Sequence, residues 1–84
     1  MKLKIGQILT LNDKDDYVVV DIAIYHGITY AYLANMESKE EEIIFRRVIN
    51  TKEGYDLYPL ADTKEYQTIT EVFFNRNKNL FKEN

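Results

Sequence analysis

The feature that most constrains the fold is a long run of strand-forming residues with one interruption. Residues 17–25 are almost all β-branched or aromatic, and residues 28–34 continue in the same way, which favours two strands. His26 and Gly27 separate these two runs. Because Gly takes positive φ freely and His tolerates it, this pair suits a two-residue hairpin turn. The sequence therefore predicts an antiparallel hairpin with His26 and Gly27 at its tip.

A two-residue turn also determines which residues of the hairpin share a face. The predicted cross-strand pairs are Tyr25 with Ile28, Ala23 with Tyr30, Asp21 with Tyr32, and Val19 with Ala34. One face then carries four phenols and a carboxylate, from Tyr17, Asp21, Tyr25, Tyr30 and Tyr32. The opposite face carries Val18, Val20, Ile22, Ile24, Thr29, Ala31 and Leu33. Because side chains alternate along a strand, a slip of one residue would exchange the two faces.

Three further runs have strand character, one before the hairpin and two after it. They span residues 5–11, 43–49 and 55–58. The first places Ile5, Leu9 and Leu11 at even spacing, which is typical of a half-buried strand. Pro59 ends the last run, since Pro is tolerated at strand ends and sheet edges.

After Asp62 the apolar residues recur with the period of a helix. They fall on one helical stripe, at Tyr66, Ile69, Val72 and Phe73. Asp62 is followed three residues later by Glu65, a spacing that resembles a capping box and places the helix start there. We predict a helix over residues 63–75 and a tail over residues 76–84, because the Asn-rich segment beyond the helix is a poor helix interior.

These elements predict a single small α+β domain over residues 1–84. Its architecture is an antiparallel meander of about five strands, strongly twisted or barrel-like, packed by one C-terminal helix. The chain is 45% hydrophobic and 30% charged, which suits a folded domain. A domain of this size buries only about 60% of its unfolded surface, so it has little room for a deep active-site pocket.

Several pieces of the sequence, taken in order, resemble a known family. They are Asp16-Tyr17-Val18-Val19-Val20, Gly27 with Tyr30-Ala31-Tyr32-Leu33, Phe45-Arg46-Arg47-Val48, Leu57-Tyr58-Pro59-Leu60 with Asp62, and Glu65-Tyr66 with Val72-Phe73. In this order they resemble the YrzB-like domain, a family of small bacterial proteins with no established activity. The resemblance implies a compact sheet with a C-terminal helix and assigns no functional residue.

Charge and composition narrow the possible partners. The chain has 14 acidic residues against 11 Lys and Arg, a net charge of −3, so it lacks the cationic field that binds phosphate backbones. It has no Cys, which excludes disulfides, thiolate metal sites and thiol nucleophiles. The first residues lack the apolar core of a secretory signal, and no run reaches about 18 apolar residues. We therefore expect a cytoplasmic protein that does not bind membranes, and the charge balance disfavours nucleic acid as its partner.

No residue pattern predicts catalysis, a metal site or a cofactor. His26 is the single His, and it has no Ser or Cys nucleophile beside it in the chain. The acidic segment over residues 12–16 lacks the Gly and Glu spacing of a helix-loop-helix calcium site. Glu40-Glu41-Glu42 is typical of a charge run that limits aggregation beside an apolar strand. We predict a protein that is not an enzyme.

The phenolic face of the hairpin is the candidate binding surface. One helix covers one side of the hairpin, and if it covers the aliphatic side, then the phenols are exposed. Aromatic side chains with polar tips are enriched at protein interfaces. The candidate partner-binding residues are Tyr17, Asp21, Tyr25, Tyr30 and Tyr32. In the alternative, the sheet curls or residues 35–42 fold over these rings, so that the rings are partly buried. The sequence leaves both arrangements open.

The leading functional interpretation is a non-catalytic protein-interaction or regulatory module. It would bind a protein partner, or a second copy as a homodimer, through the phenolic face or an open strand edge. A phage or mobile-element inhibitor of a host enzyme would share these features. The second hypothesis is a barrel that binds single-stranded nucleic acid, with bases stacked on Tyr25, Tyr30 and Tyr32. Its phosphate contacts would come from Arg46, Arg76 and Lys78.

Overall fold

The computed structural model describes residues 2–11, 15–37 and 42–77, and over these residues it contains five strands and one helix. The elements are β1 (Ile8–Leu11), β2 (Asp15–Tyr25), β3 (Ile28–Asn35), β4 (Ile43–Thr51), β5 (Gly54–Tyr58) and α1 (Thr63–Arg76). Each of the last five lies within two residues of its predicted bounds. Most of the predicted tail, residues 78–84, lies outside the described residues.

The five strands form one antiparallel sheet in the order β1-β2-β3-β4-β5. This meander curls into a half-barrel and is packed by α1, so the predicted α+β class is confirmed. At the tip of the central hairpin His26 has a φ of 51° and Gly27 a φ of 77°, which together are typical of a type I′ turn. The pairs nearest this turn, from Tyr25 with Ile28 to Asp21 with Tyr32, are as predicted.

Beyond Asp21 the predicted register is wrong, because β2 contains a β-bulge. The pairing skips Val20, so Val19 lies opposite Leu33 instead of Ala34. A bulge changes which face the preceding residues point to. Tyr17 therefore packs on the face opposite to Tyr30 and to the rest of the expected phenolic face.

Both faces of the sheet are apolar. On the face that we call the helix face, Ile69 and Phe73 of α1 pack against Tyr30, Tyr32 and Phe45. On the other face, which we call the Leu3 face, the buried residues are Leu3, Tyr17, Val19, Ala31, Leu33 and Val48. The sheet is thus the central layer between α1 and the segment that precedes β1.

The segment over residues 2–7 turns before β1, so β1 begins three residues later than predicted. The Gln7 amide donates to the Lys4 carbonyl, and Gly6 in this turn has a φ of 90°. Gly6 and Gln7 both bond to the single residue Val19, at 2.7 and 2.9 Å, which forms a second bulge. The turn places Leu3, 8% exposed, on the sheet core.

Helix α1 begins and ends close to its predicted residues. The Asp62 side chain accepts from the Glu65 backbone N–H at 2.8 Å, as an N-cap does. At the other end the Asn77 backbone N–H donates to the Phe73 carbonyl. In the three ranges that the structure describes, no helix has the length and apolarity needed to span a bilayer.

Candidate interaction surfaces

The helix α1 lies on the phenolic side of the hairpin, so the condition under which the phenols would be exposed is not met. The exposed fractions there are 6% for Asp21, 3% for Tyr30 and 3% for Tyr32. Tyr17 is 6% exposed on the Leu3 face, and Tyr25 is half-buried. In this conformation the five residues do not form the exposed surface on which the interface hypothesis depended.

The aromatic rings explain this choice of face. Phe45 and Phe73 stack with ring centroids 5.4 Å apart, and Tyr32 meets both of them edge-on. Tyr66 makes a further edge contact with Phe45. Aromatic side chains bury the largest apolar areas and prefer these geometries, so the face that carries them gains more from the helix.

A polar cluster fastens the first turn of α1 to the sheet. Glu65 accepts from the Tyr30 hydroxyl at 2.6 Å and from Arg47 at 2.7 Å, and its second oxygen accepts from the Ala61 amide. Burial disfavours the charge of Glu65, but these hydrogen bonds outweigh burial and lower its pKa. Burial, followed by the Glu65 carboxylate, raises the pKa of Tyr30 to about 12.

A second cluster fastens the last turn of α1 to the bulged part of β2. Arg76 donates to both oxygens of Asp21, at 2.8 and 3.2 Å, and the Asn77 side chain donates to the same carboxylate. The Ile22 amide completes this set at 2.8 Å. The hydrogen bonds from Arg76 hold the pKa of Asp21 below its ordinary value, although burial opposes them.

Sequence reasoning did not predict these two clusters, although a signal for them is present. Glu65 and Arg76 lie on the same helical stripe as the buried Ile69 and Phe73, at spacings of four and three residues. Charged residues on a buried stripe need partners of opposite charge on the facing layer. Asp21, between apolar neighbours in β2, is such a partner.

The structure also bears on the arrangement expected for nucleic-acid binding. Tyr30 and Tyr32 lie beneath α1, where a base has no access to their rings. Arg76 is bonded to Asp21, and Arg46 donates to the Phe45 carbonyl. Lys78 lies outside the described residues. The geometry expected for base stacking is therefore absent from the described part of the chain.

His26 lies at the exposed tip of the central hairpin. The exposed His26 ring lies 4.2 Å from the Tyr25 ring at the hairpin tip. Residues 12–14 and 40–41 lie outside the described residues. Within residues 2–11, 15–37 and 42–77 no three His, Asp or Glu side chains are grouped so as to hold a metal ion.

The outer edge of β5 is the first of two free strand edges. Thr51 and Gly54 flank the two-residue turn between β4 and β5, so this pair exchanges backbone hydrogen bonds. Because bonded and non-bonded pairs alternate, the N–H and C=O groups of Tyr55 and Leu57 point away from β4. No described strand pairs with them.

A cleft lies beside this edge of β5. Lys2, Lys4, Gln7 and Tyr55 line it. The Gln7 side-chain amide donates to the Tyr55 hydroxyl at 3.0 Å, and its carbonyl accepts from the Lys4 amide at 3.0 Å. The segment that carries the two lysines is thus held next to the edge.

The outer edge of β1 is the second free edge. The Val19 amide donates to the Gln7 carbonyl, so the backbone of Gln7 faces β2. By alternation Leu9 and Leu11 also face β2, and the backbone groups of Ile8 and Thr10 point outward. Ile8 is 55% exposed.

No family model, curated protein or solved structure matches this chain at a significant level, and its resemblance to the YrzB-like domain stays a prediction.

Proposed function

We propose that this protein is a non-catalytic protein-interaction module that binds an extended acidic segment of a partner along the outer edge of β5. The segment would add a sixth strand to the sheet, which is a common mode of peptide recognition. The observation that carries the proposal is the outward direction of the Tyr55 and Leu57 backbone beside a cleft with two lysines.

The polar side chains support a binding role over a catalytic one. Glu65, Tyr30 and Arg47 bond to one another, and Asp21 bonds to Arg76. These groups hold the helix on the sheet, and Tyr30, Arg47 and Glu65 also line a cleft at the start of α1. Backbone groups on a sheet edge, by contrast, are ready to bind a chain without any rearrangement of the core.

The charges around β5 indicate the chemistry of the partner. Lys2 and Lys4 favour a segment with acidic side chains toward the cleft. On the helix face of β5, Tyr58 is 48% exposed and offers an apolar contact to the alternate side chains of such a segment. Asp56, also exposed, places like charges opposite each other when β5 pairs with itself in register, which disfavours self-association at this edge.

Selection from a library of extended peptides displayed on phage tests the proposal. We expect enrichment of peptides that alternate acidic and apolar residues. Their binding should shift the backbone amide signals of Tyr55 and Leu57 in NMR spectra. Affinity should fall with salt, since the lysines are close to solvent. Enriched peptides that shift signals of α1 instead would contradict the β5 site.

A matched pair of variants at Leu57 isolates the contribution of its backbone N–H to peptide binding. Leu57→Pro removes one outward N–H, which an edge position tolerates, whereas Leu57→Ala keeps this N–H and loses the same packing. We expect Leu57→Pro to bind selected peptides roughly fivefold to tenfold more weakly than Leu57→Ala. Equal affinities would show that the edge backbone takes no part in binding.

A further inference from the structure

We propose that two copies of this chain associate by antiparallel pairing of their β1 edges into one continuous sheet. The proposal concerns the opposite edge of the sheet from β5, and it uses the same two lysines, Lys2 and Lys4, that line the β5 cleft. It rests on the outward backbone groups of β1, on the lack of charged residues and Pro along this strand, and on the opposite charges at its two ends.

Among the described residues, the β1 edge carries neither a charged residue nor Pro, which are two of the usual devices against edge pairing, although the strand is only four residues long and follows a bulge. From Ile5 to Leu11 the sequence has no charged residue and no Pro. Ile5 is 61% exposed and Ile8 55%, so the strand presents apolar side chains together with its outward backbone groups. Such an edge favours pairing with another strand.

The charges at the two ends of β1 are opposite. Lys2 and Lys4 lie in the turn segment before the strand. At the other end Asp15 and Asp16 lie opposite Leu11 and Thr10. Glu37 adds to this acidic end, because the preceding Met36 amide donates to the Asp16 carbonyl.

This polarity makes the edge complementary to itself in one orientation only. An antiparallel pair related by a two-fold axis brings the basic end of each copy to the acidic end of the other. A parallel pair would place lysines beside lysines and aspartates beside aspartates. Electrostatics thus selects the antiparallel dimer and fixes its register more than it adds to affinity.

The backbone pattern restricts the register of this dimer, because outward-pointing residues form the hydrogen-bonded pairs. The register that uses both outward residues of each β1 strand pairs Ile8 with Thr10 of the partner subunit. Leu9 then lies directly opposite the partner's Leu9 in a non-bonded pair, where side chains approach most closely. Leu9 packs on the Leu3 face, so the apolar clusters of the two copies become continuous there.

Sedimentation equilibrium of the full chain tests the association. We expect the mass of two chains at micromolar to millimolar concentration. Ile8→Lys should weaken the dimer at least about tenfold, because it buries a charge on the helix face of the interface. The matched control is Ile24→Lys at the hairpin tip, where Ile24 is 74% exposed, and it should leave the dimer unchanged.

A charge exchange tests the electrostatic pairing between the ends of the two copies. Lys2→Glu with Lys4→Glu in one variant, and Asp15→Lys with Asp16→Lys in another, should each weaken the homodimer about tenfold at low salt. An equimolar mixture should regain wild-type association, since both ends of the mixed dimer are again complementary. Circular dichroism and urea unfolding check that each variant is folded.

Three outcomes would overturn the proposal. They are a monomer throughout the concentration range, a dimer that Ile8→Lys and Ile24→Lys affect equally, and folded charge variants whose mixture associates no better than either variant alone. The first two would exclude β1 as the interface, and the third would exclude the pairing of opposite charges between the ends of the two copies.

Discussion

Gly27 has a φ of 77° at the tip of the central hairpin, a conformation that most side chains adopt only at a cost. A Cβ built there meets no atom within 4 Å, so the cost of Gly27→Ala comes from the backbone alone. We expect this variant to lower the free energy of unfolding by about 1 to 2 kcal/mol in urea denaturation. His26→Asn is the control, because Asn tolerates positive φ well, and it should unfold like the wild type. Wild-type stability of Gly27→Ala would contradict the type I′ turn.

Single residues also show how far the sequence predicts this structure. His26 and Gly27 determined the register of the pairs next to the turn, because a two-residue turn leaves one alignment. Val20 was not predicted as a bulge, since residues 18–20 are all Val and contain no polar residue to mark a face. That one residue moved Tyr17 to the Leu3 face. The local sequence therefore predicts the pairing next to the turn, which backbone geometry determines. It does not predict the bulge, which the packing of the sheet determines.

At the scale of elements, α1 depends on contacts at both of its ends. Asp62 caps its first turn, Glu65 joins that turn to Arg47, and Arg76 joins the last turn to Asp21. The helix was predictable from its stripe and its cap. The face that it covers was not, because both faces of the sheet are apolar and the sequence does not show which one collects the aromatic rings.

The N-cap of α1 provides a test at this scale. Asp62→Ala removes the acceptor for the Glu65 N–H, and we expect a loss of about 1 kcal/mol in the free energy of unfolding. Asp62→Asn keeps an oxygen acceptor at the same place and should lose much less. Urea denaturation followed by circular dichroism measures both variants. An equal loss in the two variants would mean that the charge of Asp62, and not its hydrogen bond, stabilises the helix.

At the scale of the whole molecule, one curled sheet carries a covered face on each side and a free edge at each end. The helix packs on one face, and Leu3 from the segment before β1 packs on the other. The outward backbone groups of β1 and β5 have no partner strand among the described elements. Lys2 and Lys4 lie near both edges, but only β1 also has an acidic end, at Asp15 and Asp16, which is why we assign an acidic partner segment to β5 and a second copy to β1.

The polar clusters around Asp21 and Glu65, which hold α1 on the sheet, also make the free energy of unfolding depend on pH. Asp21 and Glu65 have pKa values below their ordinary ones in the folded state. In acid the unfolded chain therefore binds more protons than the folded chain. The contribution of these two carboxylates to the free energy of unfolding is complete above about pH 4 to 5, and it is lost as the pH falls through their pKa values in the folded state. Tyr30 has the opposite effect, because its pKa is raised to about 12 in the folded state. Its contribution to the free energy of unfolding is complete below about pH 10 and is lost as the pH rises toward 12.

Urea denaturation over a pH series tests this pH dependence, with one variant for the loss of stability in acid and one for the loss in alkali. We expect the free energy of unfolding of the wild type to be highest near neutral pH and to fall in both acid and alkali. Asp21→Asn removes one of the two carboxylates with a lowered pKa, so its acid slope should be smaller than that of the wild type. Tyr30→Phe removes the phenol, so the alkaline fall should be smaller in that variant. If both variants keep the wild-type slopes, then the contacts of Asp21 with Arg76 and of Tyr30 with Glu65 do not control the pH dependence of folding.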